Sequence, residues 1–364
     1  MPCIAALLVS ATGCQRLVTP ADSQAPAFEQ ILKIDVHSHL YEDNDLLVDM
    51  LRRNRIHVVN VAVGGTEGHI EIMHRIAEDL HVRHPDLFSF ASTFDLTGIQ
   101  EPDFSQRTIR WLDETFERGA IMTKIWKEIG LKLRTPSGAF LLPNDPIFDG
   151  VYAHLAKRGK PLMAHIAEPL DAWLPLDPAS VHYGYYSTTP EWHLYGRGEF
   201  PRHAELIAAR DNIMEKHPNL VVIGAHLGSL EHDVGEVADR LERYPNFYVD
   251  VAARTRDLSR QPTEKVRNFF LEYEDRILYG LDASWRPYRD GPRTEEERIA
   301  FVSRLEQRYR SDYAFYAGTG TVEYGGRLVP ALGLPRSVLL KFYSQNALRL
   351  LPGLATARAS GGDR

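Results

Sequence analysis

Ile34-Asp35-Val36-His37-Ser38-His39 ends an apolar run that begins at Ile31, and together they read as the first strand of the folded domain. Side chains alternate faces along a strand, so Asp35, His37 and His39 are expected on one side. Two imidazoles side by side at a strand end can grip one divalent metal through ring nitrogens. The chain holds 15 histidines, so this pair gains meaning only from what the fold places beside it.

Working outward, β-rich runs recur at 57–63, 87–93, 120–126, 161–165, 220–226, 247–251 and 276–282. Helical patterns lie between them, at 46–53, 67–84, 107–118, 146–157, 204–216, 230–243 and 263–273. Strict alternation of strand and helix implies a parallel sheet, and eight units imply closure into an α/β (β/α)8 TIM barrel. A doubly wound sheet would place a Gly-rich turn after the first strand, where this chain has His-Ser-His. The expected organisation is one barrel domain over 31–351, preceded by a polar tether at 15–30 and followed by a tail at 352–364.

With 364 residues, 44% hydrophobic and 25% charged, the chain has the balance of a globular protein with a sizeable core. Net charge is −7 and no Lys/Arg cluster stands out, which argues against nucleic acid or an anionic membrane surface as partner. Both cysteines, Cys3 and Cys14, precede the domain, so its body has neither a disulfide nor a thiolate metal ligand. Residues 1–14 resemble the end of a bacterial lipoprotein signal, with the run 4–11 leading into Thr12-Gly13-Cys14-Gln15. That reading expects export and a lipid anchor on Cys14 in a bacterial envelope, although the run is short and lacks a basic start. A membrane contact is expected through that anchor alone.

A barrel of this kind carries its chemistry at the C-terminal ends of its strands. His37 and His39, Lys124, His165, His226 and Asp282 all fall there. Each alone has an ordinary structural explanation: a core histidine bonded to a carbonyl, or an aspartate capping the next helix. Six such groups at one rim read as a metal site.

These motifs resemble the amidohydrolase superfamily, in the amidohydrolase-related branch that includes aminocarboxymuconate semialdehyde decarboxylase. The resemblance rests on Asp35-Val36-His37-Ser38-His39, Met163-Ala164-His165, Gly224-Ala225-His226-Leu227-Gly228, Gly280-Leu281-Asp282-Ala283-Ser284 and Ser344-Gln345-Asn346-Ala347. It implies His37, His39, His165 and Asp282 as ligands of one divalent ion, Zn²⁺ first and Mn²⁺ or Fe²⁺ as alternatives. It implies His226 as an acid/base or electrophilic group, with Asp282 also moving a proton. Lys124 is open: a carboxylated bridge to a second metal, an ammonium for a substrate carboxylate, or a partner of Glu128. The family's usual glycine-threonine-aspartate is Gly280-Leu281-Asp282 here, which keeps the ligand and loses a supporting hydroxyl.

Residues 168–203 form a long insertion after the fifth strand, dense in aromatics that include Trp173, Tyr183, Tyr185, Tyr186, Trp192 and Tyr195. A loop of this length is usually functional, often a lid. Its aromatics would stack on a small-molecule ring, or else pack onto the barrel or a neighbouring subunit, which keeps a homo-oligomer among the expectations. Trp173, Tyr186, Arg254 and Trp285 are the expected substrate contacts, Arg254 as an anion clamp, with Glu168 placed to repel anions. The first expected activity is metal-dependent hydrolysis of an ester, lactone or amide of a small cyclic or aromatic compound. The alternative is non-oxidative decarboxylation of an aromatic or unsaturated acid. A non-catalytic metal-binding protein would be expected to have lost a ligand or His226, and this chain keeps them all.

Overall fold

The structure is a computed structural model that describes residues 25–64 and 69–354. The signal-like segment, most of the tether and the tail from 355 lie outside the described residues. Strands β1 (Lys33–Leu40), β2 (Ile56–Val61), β3 (Phe88–Ser92), β4 (Met122–Ile125), β5 (Leu162–Ala164), β6 (Val222–Gly224), β7 (Phe247–Asp250) and β8 (Ile277–Leu278) pair in sequence order, all parallel. The last strand is shorter than expected and ends at Leu278, and at Gly280 a Cβ would lie 3.1 Å from the Cβ atoms of both His37 and Ala252. Farther on, β9 (Ser284–Trp285) pairs with β1. The bonds Val36 N–H to Tyr279 O (3.0 Å), Asp282 N–H to His37 O (2.7 Å) and His39 N–H to Ala283 O (2.7 Å) close the barrel.

The apolar residues divide into two layers. Ile34, Val36, Val59, Val61, Met122, Met163, Ile223 and Leu278 fill the barrel interior. Leu40, Val58, Phe88, Phe90, Leu162, Val222 and Phe247 face the surrounding helices. Strands apolar on both faces read as near-continuous hydrophobic runs, which is why sequence locates them. Helix starts are set by local chemistry: Asn44 accepts from the N–H of Leu46 and Leu47 ahead of helix Asp45–Arg53, and Thr294 and Glu297 form a capping box on helix Glu295–Ala317. That long helix and the hairpin of β10 (Thr321–Tyr324) and β11 (Arg327–Pro330) follow the barrel strands. Among the described residues no helix is long and apolar enough to cross a membrane.

One expectation about β1 is corrected. Its register against β2 shifts between Asp35 and Ser38, so simple alternation fails there. Asp35 does not join the histidines. Its Oδ1 accepts from the N–H of His37 (3.0 Å) and Leu281 (3.1 Å), and its Oδ2 from Ser38 Oγ and Tyr309 Oη (2.6 Å each). This fully buried carboxylate ties β1, the turn after β8 and helix Glu295–Ala317 together. Asp35→Ala would leave four buried donors unpaired. It is expected to cost about 3 kcal/mol or more, read as a fall in denaturant midpoint.

Candidate metal centre

His37 and His39 project from the end of β1 with ring centroids 5.6 Å apart. Each is oriented through Nδ1, which lies 3.0 Å from Asp250 Oδ2 in His37 and 2.7 Å from Val61 O in His39. An N–H at Nδ1 satisfies both acceptors and leaves each Nε2 with a lone pair, the form a metal ligand needs. Ligand atoms of His37, His39 and Asp282 all lie within 4.8 Å of one another, with His39 Nε2 3.3 Å from Asp282 Oδ1. Two imidazoles and a carboxylate in a buried pocket are a donor set that fits a divalent ion.

His226 is fixed in the same way, its Nδ1 2.7 Å from Ala252 O and its ring 4.6 Å from that of His37 and 4.4 Å from that of His165. His165 therefore stands beside the triad, against His226, rather than within the tight donor cluster. Burial pushes both His165 and His226 well below the ordinary histidine range, and drives His39 down to about 4 with help from the nearby Arg286 charge. These rings are neutral, as metal ligation and hydrogen-bond acceptance require. Burial alone would raise Asp282, but the imidazoles facing it, His39 first and then His226 and His37, hold it well below the carboxylate range.

The backbone is bent hard around these groups. His226, Leu227 and Ser229 take φ of 59°, 57° and 59°, and Asp282 takes 57°. Left-handed non-glycine residues are uncommon and cluster at functional sites. Asp250 holds the first bend: Oδ1 accepts from the N–H of His226 (2.8 Å) and of Ala252 (3.0 Å), while Oδ2 faces His37. Although burial opposes it, His37, His226 and Lys124 bring the Asp250 carboxyl down to about 2. Sequence reasoning passed over Asp250, yet a carboxylate at the end of the seventh strand was the available signal.

Lys124 is fully buried at the end of β4, its Nζ 3.0 Å from His37 Nε2, and burial lowers it to about 8. It is not among the residues that line the cavity above. That cavity has a volume of about 620 Å³ and opens over His37, His39, His165, His226 and Asp282. Arg254 lines it; three other expected contacts do not. Trp173 is spent on Pro201 O (3.0 Å) and the His203 ring, Tyr186 on the Glu168 carboxylate, and Trp285 on Glu42 (2.7 Å) and a stack against Phe301. The aromatic wall is instead Trp126, Trp192, Tyr185 and Tyr288. Glu168 is neutralised by a buried ion pair with Lys127, whose ammonium also lies 3.8 Å from the centroid of Trp192.

A parallel barrel with buried imidazoles and a carboxylate gathered at its C-terminal rim has the form of a metal-dependent enzyme. The chain belongs to the amidohydrolase family, whose pattern, described as Amidohydrolase, matches residues 34–353. Similar solved structures include an uncharacterized TIM-barrel protein from Bordetella bronchiseptica, 14% identical, covering 89% of this chain and 100% of that one at a TM-score of 0.51. The 2,6-dihydroxybenzoate decarboxylase from Rhizobium is 16% identical, covering 88% and 98% at 0.51. The 5-carboxyvanillate decarboxylase from Sphingomonas paucimobilis is 12% identical, covering 88% and 99% at 0.50. At these identities the likeness is one of fold. No curated protein matches the sequence.

Proposed function

We propose that this chain is a metal-dependent decarboxylase of a small aromatic or unsaturated carboxylic acid. The observation that carries the reading is the charge of the cavity wall. Lys127, Lys132, Arg254, Arg286 and Arg289 line it against Glu168, Glu191 and Asp282; Lys127 and Arg254 are matched by Glu168 and Glu231, which leaves Lys132, Arg286 and Arg289 facing Glu191 and Asp282. A wall with spare positive charge favours an anionic substrate, and decarboxylation requires one where hydrolysis does not.

His37, His39 and Asp282 would hold the ion, with His165 beside them; imidazoles mixed with a carboxylate favour zinc. When bound, the ion supplies Lewis-acid polarisation of a substrate oxygen. Trp126, Trp192 and Tyr185 present faces and edges for the substrate's unsaturated plane. His226 and Asp282 would face the reacting carbon and relay to it a proton drawn from solvent water, since neither holds a transferable one at rest. As the C–C bond breaks, its electron pair stays on that carbon, which takes the proton, and CO₂ leaves. Lys124 acts from beneath the site: an ammonium beside His37 Nε2 opposes a bound cation, so the lysine serves there as a neutral amine or in carboxylated form, the latter alone admitting a second metal.

Hydrolysis is the second reading, favoured by the 3.3 Å approach of Asp282 Oδ1 to His39 Nε2, which places a carboxylate to take a proton from a water beside the donor set. The two readings separate in one assay. Metal-loaded protein is incubated with a panel of hydroxybenzoic acids and a parallel panel of aryl esters and lactones, in heavy water. CO₂ release with deuterium at the vacated carbon is expected. Ester or lactone opening without CO₂ from any acid would replace the proposal with hydrolysis.

A further inference from the structure

Three arginines line the cavity wall, Arg254, Arg286 and the exposed Arg289, and the two more buried ones are not equivalent. Arg254, after β7, has Glu231 Oε2 3.4 Å from its Nε, and Asp257 adds a second negative charge nearby. Its charge is matched inside the protein. Arg286 directly follows β9 and lines the cavity with Asp282, Ser284 and Tyr288. Its backbone carbonyl is occupied by the N–H groups of Arg289 and Asp290 (3.0 Å each), so its position on the rim is fixed. The side chain is uncommitted: its Nε, like that of Arg254, is buried without a hydrogen-bond partner among the described residues, but unlike Arg254 it has no ion pair with any described carboxylate.

A partly buried guanidinium without a counter-charge is costly in an apoprotein and is relieved when a ligand brings the missing anion. Arg286 lines the same cavity as His39 and Asp282 and follows Asp282 by four residues, so an anion paired with it would sit on the donor-cluster side of the cavity. Tyr288 adds an aromatic wall on the same side, held by an edge contact with Tyr41 at 5.5 Å.

We infer that Arg286 is the substrate-anchoring residue of this site, binding the carboxylate of an aromatic acid on the β9 side of the donor cluster, and that it, not Arg254, sets the preference for anions. This rests on the carboxylic-acid reading above and names the residue that reading lacked. Arginine suits the task because its planar, permanently charged fork matches a carboxylate.

The test uses metal-loaded full-length protein with benzoate as the anionic probe and benzamide as its uncharged match, each titrated calorimetrically. In R286Q the benzoate Kd is expected to rise at least about tenfold while benzamide binding and metal content hold. R286K should recover part of the loss and guards against a folding defect. R254Q should lose less than R286Q. Equal benzoate affinity in wild type and R286Q, or a loss confined to R254Q, would overturn the inference and leave the carboxylic-acid reading standing. Benzoate bound by neither wild type nor variant would overturn both.

Discussion

Asp282→Asn is expected to lower turnover at saturating metal by about three orders of magnitude while the protein still folds. Asparagine is the informative replacement because Asp282 sits at φ 57°, a left-handed conformation that Asn tolerates far better than most residues. Alanine there would add backbone strain and confuse a chemical defect with a structural one. The amide keeps the shape and can still accept a hydrogen bond near His39, but it carries no negative charge and exchanges no proton. Positioned acid/base groups contribute on the order of 10²–10⁴ in rate, and loss of a ligand charge adds to that. The check is kcat with metal content measured on the same sample and a melting curve beside it. Turnover within about tenfold of wild type would remove Asp282 from the chemistry.

Asp250→Asn is expected to weaken metal binding by about 10- to 100-fold, although Asp250 is not among the proposed ligands. The carboxylate receives the N–H groups of His226 and Ala252 and faces His37 Nδ1 at 3.0 Å. An amide can keep only some of these contacts, and its NH₂ cannot accept from His37. The histidine would then lose the partner that fixes its tautomer and bares Nε2. Competition against a chromogenic chelator reads the change directly. An unaltered metal affinity would mean that Asp250 merely shapes the strained turn at 226–229.

The barrel was legible in sequence for a physical reason. Strands such as Phe247–Asp250 and Val222–Gly224 are buried on both faces, so they appear as short apolar runs between amphipathic helices. The histidine pair was legible because chemistry at strand ends is where this architecture places it. What escaped depends on neighbours distant in sequence. The role of Asp250 requires knowing that β7 and β1 approach each other across the short β8, a relation that no local pattern states. Asp35 was misplaced because a register irregularity in β1 breaks the period of two. Trp173, Tyr186 and Trp285 are aromatics near the rim, but loop backbones have no period to say which way a ring faces. Each found a partner within the protein: a carbonyl, a carboxylate or a stacked phenyl ring. Trp126 and Lys127, just past β4, line the cavity instead. Their signal was adjacency to a strand end already singled out for Lys124.

The central claim is that His37, His39 and Asp282 form a working metal site. Elemental analysis of protein purified without chelator, beside the double variant H37A/H39A, tests it most directly. About one divalent ion per chain in the wild type, falling to background in the variant, is the predicted result. No ion in the wild type after metal supplementation, or the same content in the variant, would contradict it.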